Sequence, residues 1–202
     1  MTISPEERKD LIISWLTISL AFTFLLSGQL IPGFSFTSNL IIAFFISAIA
    51  TGTGFVLHEL AHKYTAISFG AHAEFRAWPF GLLLALGTGI FSLFSGFNFI
   101  FAAPGATYVF GDERIGAKQN AYISLAGPLL NVIMGLILLG IASLFRRDLI
   151  GFILSGAASI NFFLAFFNMI PIYPLDGSKV FNWNVLVWAI VFVPLFAYIF
   201  IL

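Results

Sequence analysis

The chain contains no cysteine. That absence excludes disulfide staples and thiolate ligands, so any metal site must be built from His, Asp or Glu. Charge is nearly as scarce. Only 9% of the 202 residues are Asp, Glu, Lys or Arg, against about 25% in soluble domains. Net charge is zero and there is no basic cluster, which speaks against nucleic-acid binding and against an anionic-lipid patch. Also lacking are internal repeats, low-complexity tracts and any polar stretch long enough for a soluble domain. What fills the chain is apolar: 60% of residues, with a mean hydropathy of +1.03, the composition of an integral membrane protein. Residues 1–202 read as one transmembrane domain.

Six apolar runs, at 11–31, about 40–57, 80–103, 121–145, 149–173 and 183–202, are each long enough to cross roughly 30 Å of hydrocarbon as helix. The first follows "PEERKDL". It is too long for a signal-peptide core and lacks a small-residue cleavage pattern, so it reads as a retained span. The expected fold class is an all-α polytopic membrane protein of five or six transmembrane helices.

Ionisable groups inside these runs are confined to "FVLHELAHKY", residues 55–64, with Asp176 just past the fifth run. An unpaired charge at mid-bilayer costs at least about 2.5–3.5 kcal/mol, so such residues point to function. His58 and His62 are four apart on one helix, which aims both imidazoles the same way, and Glu59 lies beside the pair. This is H-E-x-x-H, two imidazoles for zinc and a carboxylate for the attacking water. The bland alternative is a set of helix-end residues at the headgroups. A catalytic zinc needs a third protein ligand and an open fourth position. Asp176 is the best candidate, since His72 and Glu74 lie close behind the histidines in what reads as a polar turn. Pro171 and Pro174 are expected to keep the chain before Asp176 extended, and Gly177 to allow a tight turn behind it.

Three motifs in order, "HELAH", "LAGPLLN" at 125–131 and "NMIPIYPLDG" at 168–177, resemble the site-2 protease family of intramembrane zinc metalloproteases over about residues 40–180. The resemblance implies one Zn2+ held by His58, His62 and Asp176, and Glu59 as catalytic base. It also implies that Asn131, after the "AGP" turn, holds the substrate backbone or the oxyanion. The implied partners are the lipid bilayer and a membrane-protein substrate presented as an unwound transmembrane segment. The implied reaction is peptide-bond hydrolysis. Ser178 and Lys179 stand where many members have Gly and Arg, and the chain reads as a minimal core without a PDZ or CBS domain.

Geometry constrains the topology independently. Both ligand segments present their site at the exit end of a run, so the two runs must cross in the same direction, and one of the two runs between them cannot span. The run 80–103 is the expected exception. It is interrupted by Gly87, Gly89 and Gly96 and ends in the strand-like "FNFIF" and "ATYVF", suggesting a re-entrant or β-hairpin element beside the site. Arg8, Lys9, Lys63, Arg76, Arg114, Lys118 and Lys179 then lie on one side and Arg146 and Arg147 on the other, which sets the site toward the cytoplasm of a prokaryotic cell membrane. The edge around 97–110 is expected to pair with substrate, so that proline at Phe99 or Phe101 would reduce cleavage. His72 reads as a solvated histidine and "DERIGAK" as a solvated loop. Two competing functions use the same residues: a zinc or other cation transporter, which would need ligands at several depths, and a non-proteolytic zinc-binding scaffold, against which Glu59 argues.

Overall fold

Ser35 starts the second apolar run as a helix cap, its hydroxyl accepting from the Ser38 N–H at 3.1 Å. From there a computed structural model shows one 33-residue helical rod, Phe36–Ser68. The structure describes residues 3–27, 35–97, 99–101, 104–110, 115–146 and 148–201. The rod consists of α2 (Phe36–Thr51), a π-helical turn (Gly52–Val56) and α3 (Leu57–Ser68). Asn161 steadies the π turn by donating from Nδ2 to Thr53 Oγ1 at 2.8 Å. At 1.5 Å per residue, His58 lies about 33 Å along the rod, near the far limit of a hydrocarbon core.

Helix α1 (Pro5–Ser27) buries Glu7, Leu11, Ser14, Ile18 and Phe22, a stripe at spacings of three and four, against this rod. It runs antiparallel. Glu7 reaches Lys63, Ser19 Oγ meets Thr51 Oγ1 at 2.7 Å, and Trp15 Nε1 donates to the Ala48 carbonyl at 3.0 Å. The chain then forms β1 (His72–Ala77), α4 (Pro79–Ser95) and β2 (Gly105–Phe110). β1 and β2 pair antiparallel, His72 opposite Phe110 through Ala77 opposite Gly105, and the Trp78 N–H donates to the Pro104 carbonyl at 2.8 Å. The excursion from 78 to 104 therefore starts and ends at the same place. It leaves as α4, packed on α1 so closely that a Cβ on Gly89 would sit 2.5 Å from the Ala21 carbonyl oxygen, and it returns without crossing.

Helices α5 (Ala117–Ala142), extended by a 3-10 turn at Ser143–Phe145, and α6 (Leu149–Asn168) form an antiparallel pair. Ala50, Leu138, Ala157, Phe162, Phe166 and Leu195 build the core between them, α2 and the last helix. After α6 come the short α7 (Asp176–Trp183) and α8 (Val185–Phe200). The α8 start is capped by Asn184 Oδ1, which accepts from Leu186 N–H at 2.9 Å and Val187 N–H at 3.1 Å. Large apolar side chains cover the outside, among them Phe94, Leu136 and Ile190. Among the described residues four helices are long and apolar enough to span, Pro5–Ser27, Phe36–Ser68, Ala117–Phe145 and Leu149–Asn168, with α4 and α8 shorter. This is an all-α polytopic membrane protein, with one two-stranded sheet among the described residues.

Several local expectations are corrected. "ATYVF" is a strand, but the described residues of "FNFIF" are not. Ser92 Oγ bonds the Phe97 and Phe99 carbonyls, and Thr88 Oγ1 accepts from the Phe101 N–H, which removes those groups from any ladder. The partner strand is instead the segment read as a polar turn, with His72 and Glu74 in β1. "AGP" is not a turn but lies inside α5, where Pro128 removes one helical donor. Asp176 does not end an extended segment but opens α7. Residues 112–114 of "DERIGAK", Arg114 among them, lie outside the described residues, as does Arg147, and Ala117 and Lys118 already belong to α5.

Candidate metal centre

Four residues on one helix bring the His58 and His62 rings to 4.5 Å between centroids, nearly perpendicular, with their Nε2 atoms 2.9 Å apart. Asp176 Oδ2 completes a triangle, 3.4 Å from His58 Nε2 and 3.1 Å from His62 Nε2. Both imidazoles are buried. The Ile123 carbonyl of α5 lies 2.6 Å from His62 Nδ1, which selects the tautomer with its proton there and turns the Nε2 lone pair toward the triangle.

The sequence delivers Asp176 in two steps. Pro171 and Pro174 prevent α6 from continuing, and α7 then begins at Asp176 itself. Gly177 serves a close approach rather than a turn, since a Cβ there would lie 2.2 Å from the Met169 carbonyl oxygen. Lys179, one turn into α7, brings Nζ to 3.4 Å from Asp176 Oδ1, leaving Oδ2 to face the imidazoles. Gly127 of α5 closes the triangle from the other side. A methyl group on it would come within 2.6 Å of both Nε2 atoms.

Glu59 projects beside the triangle, its Oε2 accepting from Thr107 Oγ1 of β2 at 2.8 Å. A cavity of about 410 Å³ opens there, lined by His58, Glu59, His62, Asp176 and Lys179, by Gly105, Ala106, Thr107 and Val109 of β2, and by apolar residues including Phe22, Phe55, Phe163 and Phe167. The sheet turns one edge toward it. The Phe75 and Ala77 N–H groups point away from β2, donating to Glu7 Oε1 at 3.1 Å and Asp10 Oδ2 at 3.2 Å. In an antiparallel ladder their partners Thr107 and Gly105, and Val109 by alternation, must then turn their own backbone groups away from β1.

Of the residues singled out in the sequence, His58, Glu59, His62 and Asp176 come together. Asn131 is fully buried on α5 and is not among the residues lining the cavity. Both its amide atoms lack a hydrogen-bond partner among the described residues. It lies one turn beyond Gly127, on the same face of α5. His72 stands apart on the outer face of the sheet, half exposed, with Nε2 4.0 Å from Glu74 Oε1. Sequence reasoning missed Thr107, Gly127 and the Ile123 carbonyl. Gly127 and Thr107 both sit within quoted stretches, "LAGPLLN" and "ATYVF", but nothing in either marks its contact with the site. It also missed the buried ion pair of Glu7 and Lys63, which ties α1 to the helix that carries the histidines.

Zinc fits the three donors. Tetrahedral zinc with bonds of about 2.0–2.1 Å requires ligand atoms about 3.3 Å apart. The observed separations of 2.9, 3.1 and 3.4 Å bracket that value. Fold and donor set together describe a polytopic membrane protein in which three convergent donors could hold one metal ion and leave a fourth position open.

Over 196 residues, 96% of its length, the chain is 42% identical to "Putative zinc metalloprotease MJ0611" of Methanocaldococcus jannaschii and covers 93% of that protein. It is 29% identical over 175 residues to "Zinc metalloprotease MJ0392" of the same organism, covering 42% of it. It is 28% identical over 141 residues to "Putative zinc metalloprotease YwhC" of Bacillus subtilis, covering 63%. No protein-family model and no solved structure matches the chain. The chain belongs to this site-2-protease-like family of zinc metalloproteases, and Zn2+ is its cofactor.

Proposed function

We propose that this chain is an intramembrane endopeptidase that hydrolyses peptide bonds in or near the transmembrane segments of membrane-protein substrates. The observation that carries the reading is Glu59 standing beside three converging donors, at a cavity walled by apolar side chains of α1, α6 and the α2–α3 rod. His58, His62 and Asp176 are the residues that hold the metal. Zinc held there supplies Lewis-acid polarisation of the scissile carbonyl and acidifies a water molecule toward neutral pH. Glu59 accepts the proton of the attacking water and returns it to the leaving amine as the C–N bond breaks. Hydrogen-bonding capacity for the developing oxyanion comes from Lys179 at the cavity, whereas Asn131, fully buried on α5 and outside the cavity lining, is not placed to supply it.

A helical substrate hides its peptide bonds in its own ladder and must unwind to be cut. The open edge of β2 offers the replacement hydrogen bonds, through the backbone of Gly105, Thr107 and Val109. Phe99 and Phe101 do not belong to this edge, so Val109 takes their place in the test. Among the described basic residues, Arg8, Lys9, Lys63, Arg76, Lys118 and Lys179 share the end of the fold that carries the site, and Arg146 lies at the other. By the positive-inside rule the site faces the cytoplasm of a prokaryotic cell. The acidic groups and histidines of the site also gather at that one end, and among the described residues no second ligand cluster marks a cation path at another depth. The test is Glu59→Gln against wild type on a generic membrane-segment substrate. Equal zinc in both and cleavage by wild type alone are expected, and cleavage by the Gln variant would refute the reading.

A further inference from the structure

Thr107 is the one β2 residue whose side chain is hydrogen-bonded to Glu59, and its hydroxyl lies 2.8 Å from Oε2 and 3.3 Å from the Glu59 backbone carbonyl. It is half-buried at the cavity wall. Its backbone belongs to the open edge, because its cross-strand partner Phe75 turns its own N–H outward to Glu7. A single residue thus touches the carboxylate with its side chain and offers the edge with its main chain. A free glutamate on a helix samples several rotamers, and one donor from a strand paired along its length with β1 selects among them.

We propose that Thr107 is a positioning residue for the reaction. Its hydroxyl fixes the orientation of the Glu59 carboxylate relative to a substrate strand docked on β2, so that base and scissile bond share one rigid reference. β2 is anchored through its partner, since it pairs along its length with β1, whose outward Phe75 and Ala77 N–H groups end on Glu7 and Asp10 of α1. The hydroxyl takes no part in bond making. It keeps its own proton, and the water proton still goes to Glu59. This inference rests on the proposed function, in which Glu59 is the base.

The experiment compares wild type, Thr107→Val, Thr107→Ser and Glu59→Gln on the same membrane-segment substrate, measuring kcat and KM separately with zinc content alongside. Valine keeps the β-branch and favours a strand, so the fold is retained while the donor is lost. A hydrogen bond to a charged group is worth about 1.5–3 kcal/mol, which corresponds to roughly a ten- to hundredfold fall in rate. Expected is a fall of about tenfold or more in kcat for Thr107→Val, with KM and zinc unchanged, and kcat within about twofold of wild type for Thr107→Ser. Wild-type or faster turnover in Thr107→Val would overturn the inference. So would a change in KM alone, a loss of zinc, or an equal slowing in Thr107→Ser. If Glu59→Gln cleaves like wild type, the proposed function has failed. If Glu59→Gln is dead and Thr107→Val is not slowed, only the role of Thr107 has failed.

Discussion

A single methyl group added at Gly127 offers a sharp test of the metal centre. In a helix interior, glycine to alanine ordinarily stabilises by roughly 0.5–1 kcal/mol. Here the new Cβ would stand 2.6 Å from His58 Nε2, His58 Cε1 and His62 Nε2. Ordinary contact needs about 3.4 Å or more, so the imidazoles must retreat by roughly 0.8 Å. Zinc–ligand distances tolerate only about 0.2 Å. Misplacements of that order cost around a hundredfold, or about 2.7 kcal/mol, which outweighs the helix term. Gly127→Ala should therefore fold, because in the metal-free protein the rings can swing aside, yet lose zinc affinity by about a hundredfold. Competition against a chromogenic chelator in detergent measures the affinity, and thermal unfolding with and without zinc measures the coupled stabilisation. An alanine variant that binds zinc as tightly as wild type would refute the packing of α5 against the two ligands.

The remaining predictions concern the supports of the site. Glu7→Gln leaves the ammonium of Lys63, 2% exposed, without its counter-charge. Breaking one side of a buried pair costs about 3–5 kcal/mol. Denaturant unfolding in micelles should show that loss, and Lys63→Met added to it should restore most of the stability; a loss under about 1 kcal/mol would contradict the pair. Val109→Pro removes an N–H that points off the open edge of β2 while leaving the ladder to β1 intact, so cleavage should fall with zinc content unchanged. Undiminished cleavage would mean that substrate does not pair there.

The histidine pair was readable because helical spacing is local. Once "HELAH" is helical, both rings share a face whatever surrounds them. Asp176 was readable through the membrane setting, where a carboxylate without a partner is too costly to leave unexplained. The non-crossing interval 80–103 followed from counting passages, and the 78-to-104 hydrogen bond agrees with it. The sheet was half found. "HAEFRA" alternates polar and apolar with period two, the pattern of a half-buried strand, and its histidine and charges hid that pattern behind the appearance of a turn. "FNFIF" carries strand-forming residues but spends its backbone on Ser92 and Thr88, a long-range choice that propensity does not record. Thr107 and the Ile123 carbonyl act across separations of 48 and 61 residues, and nothing in their local sequence signals it. Gly177 had the right identity for a different reason, the nearness of the Met169 carbonyl rather than a turn.

The most direct measurement is the zinc content of purified wild type and Asp176→Ala, titrated against a chelator of known affinity. Joint coordination by His58, His62 and Asp176 predicts one zinc per wild-type chain and at least a hundredfold weaker retention in the variant, which keeps only two ligands. Equal zinc affinity in the two proteins would contradict it.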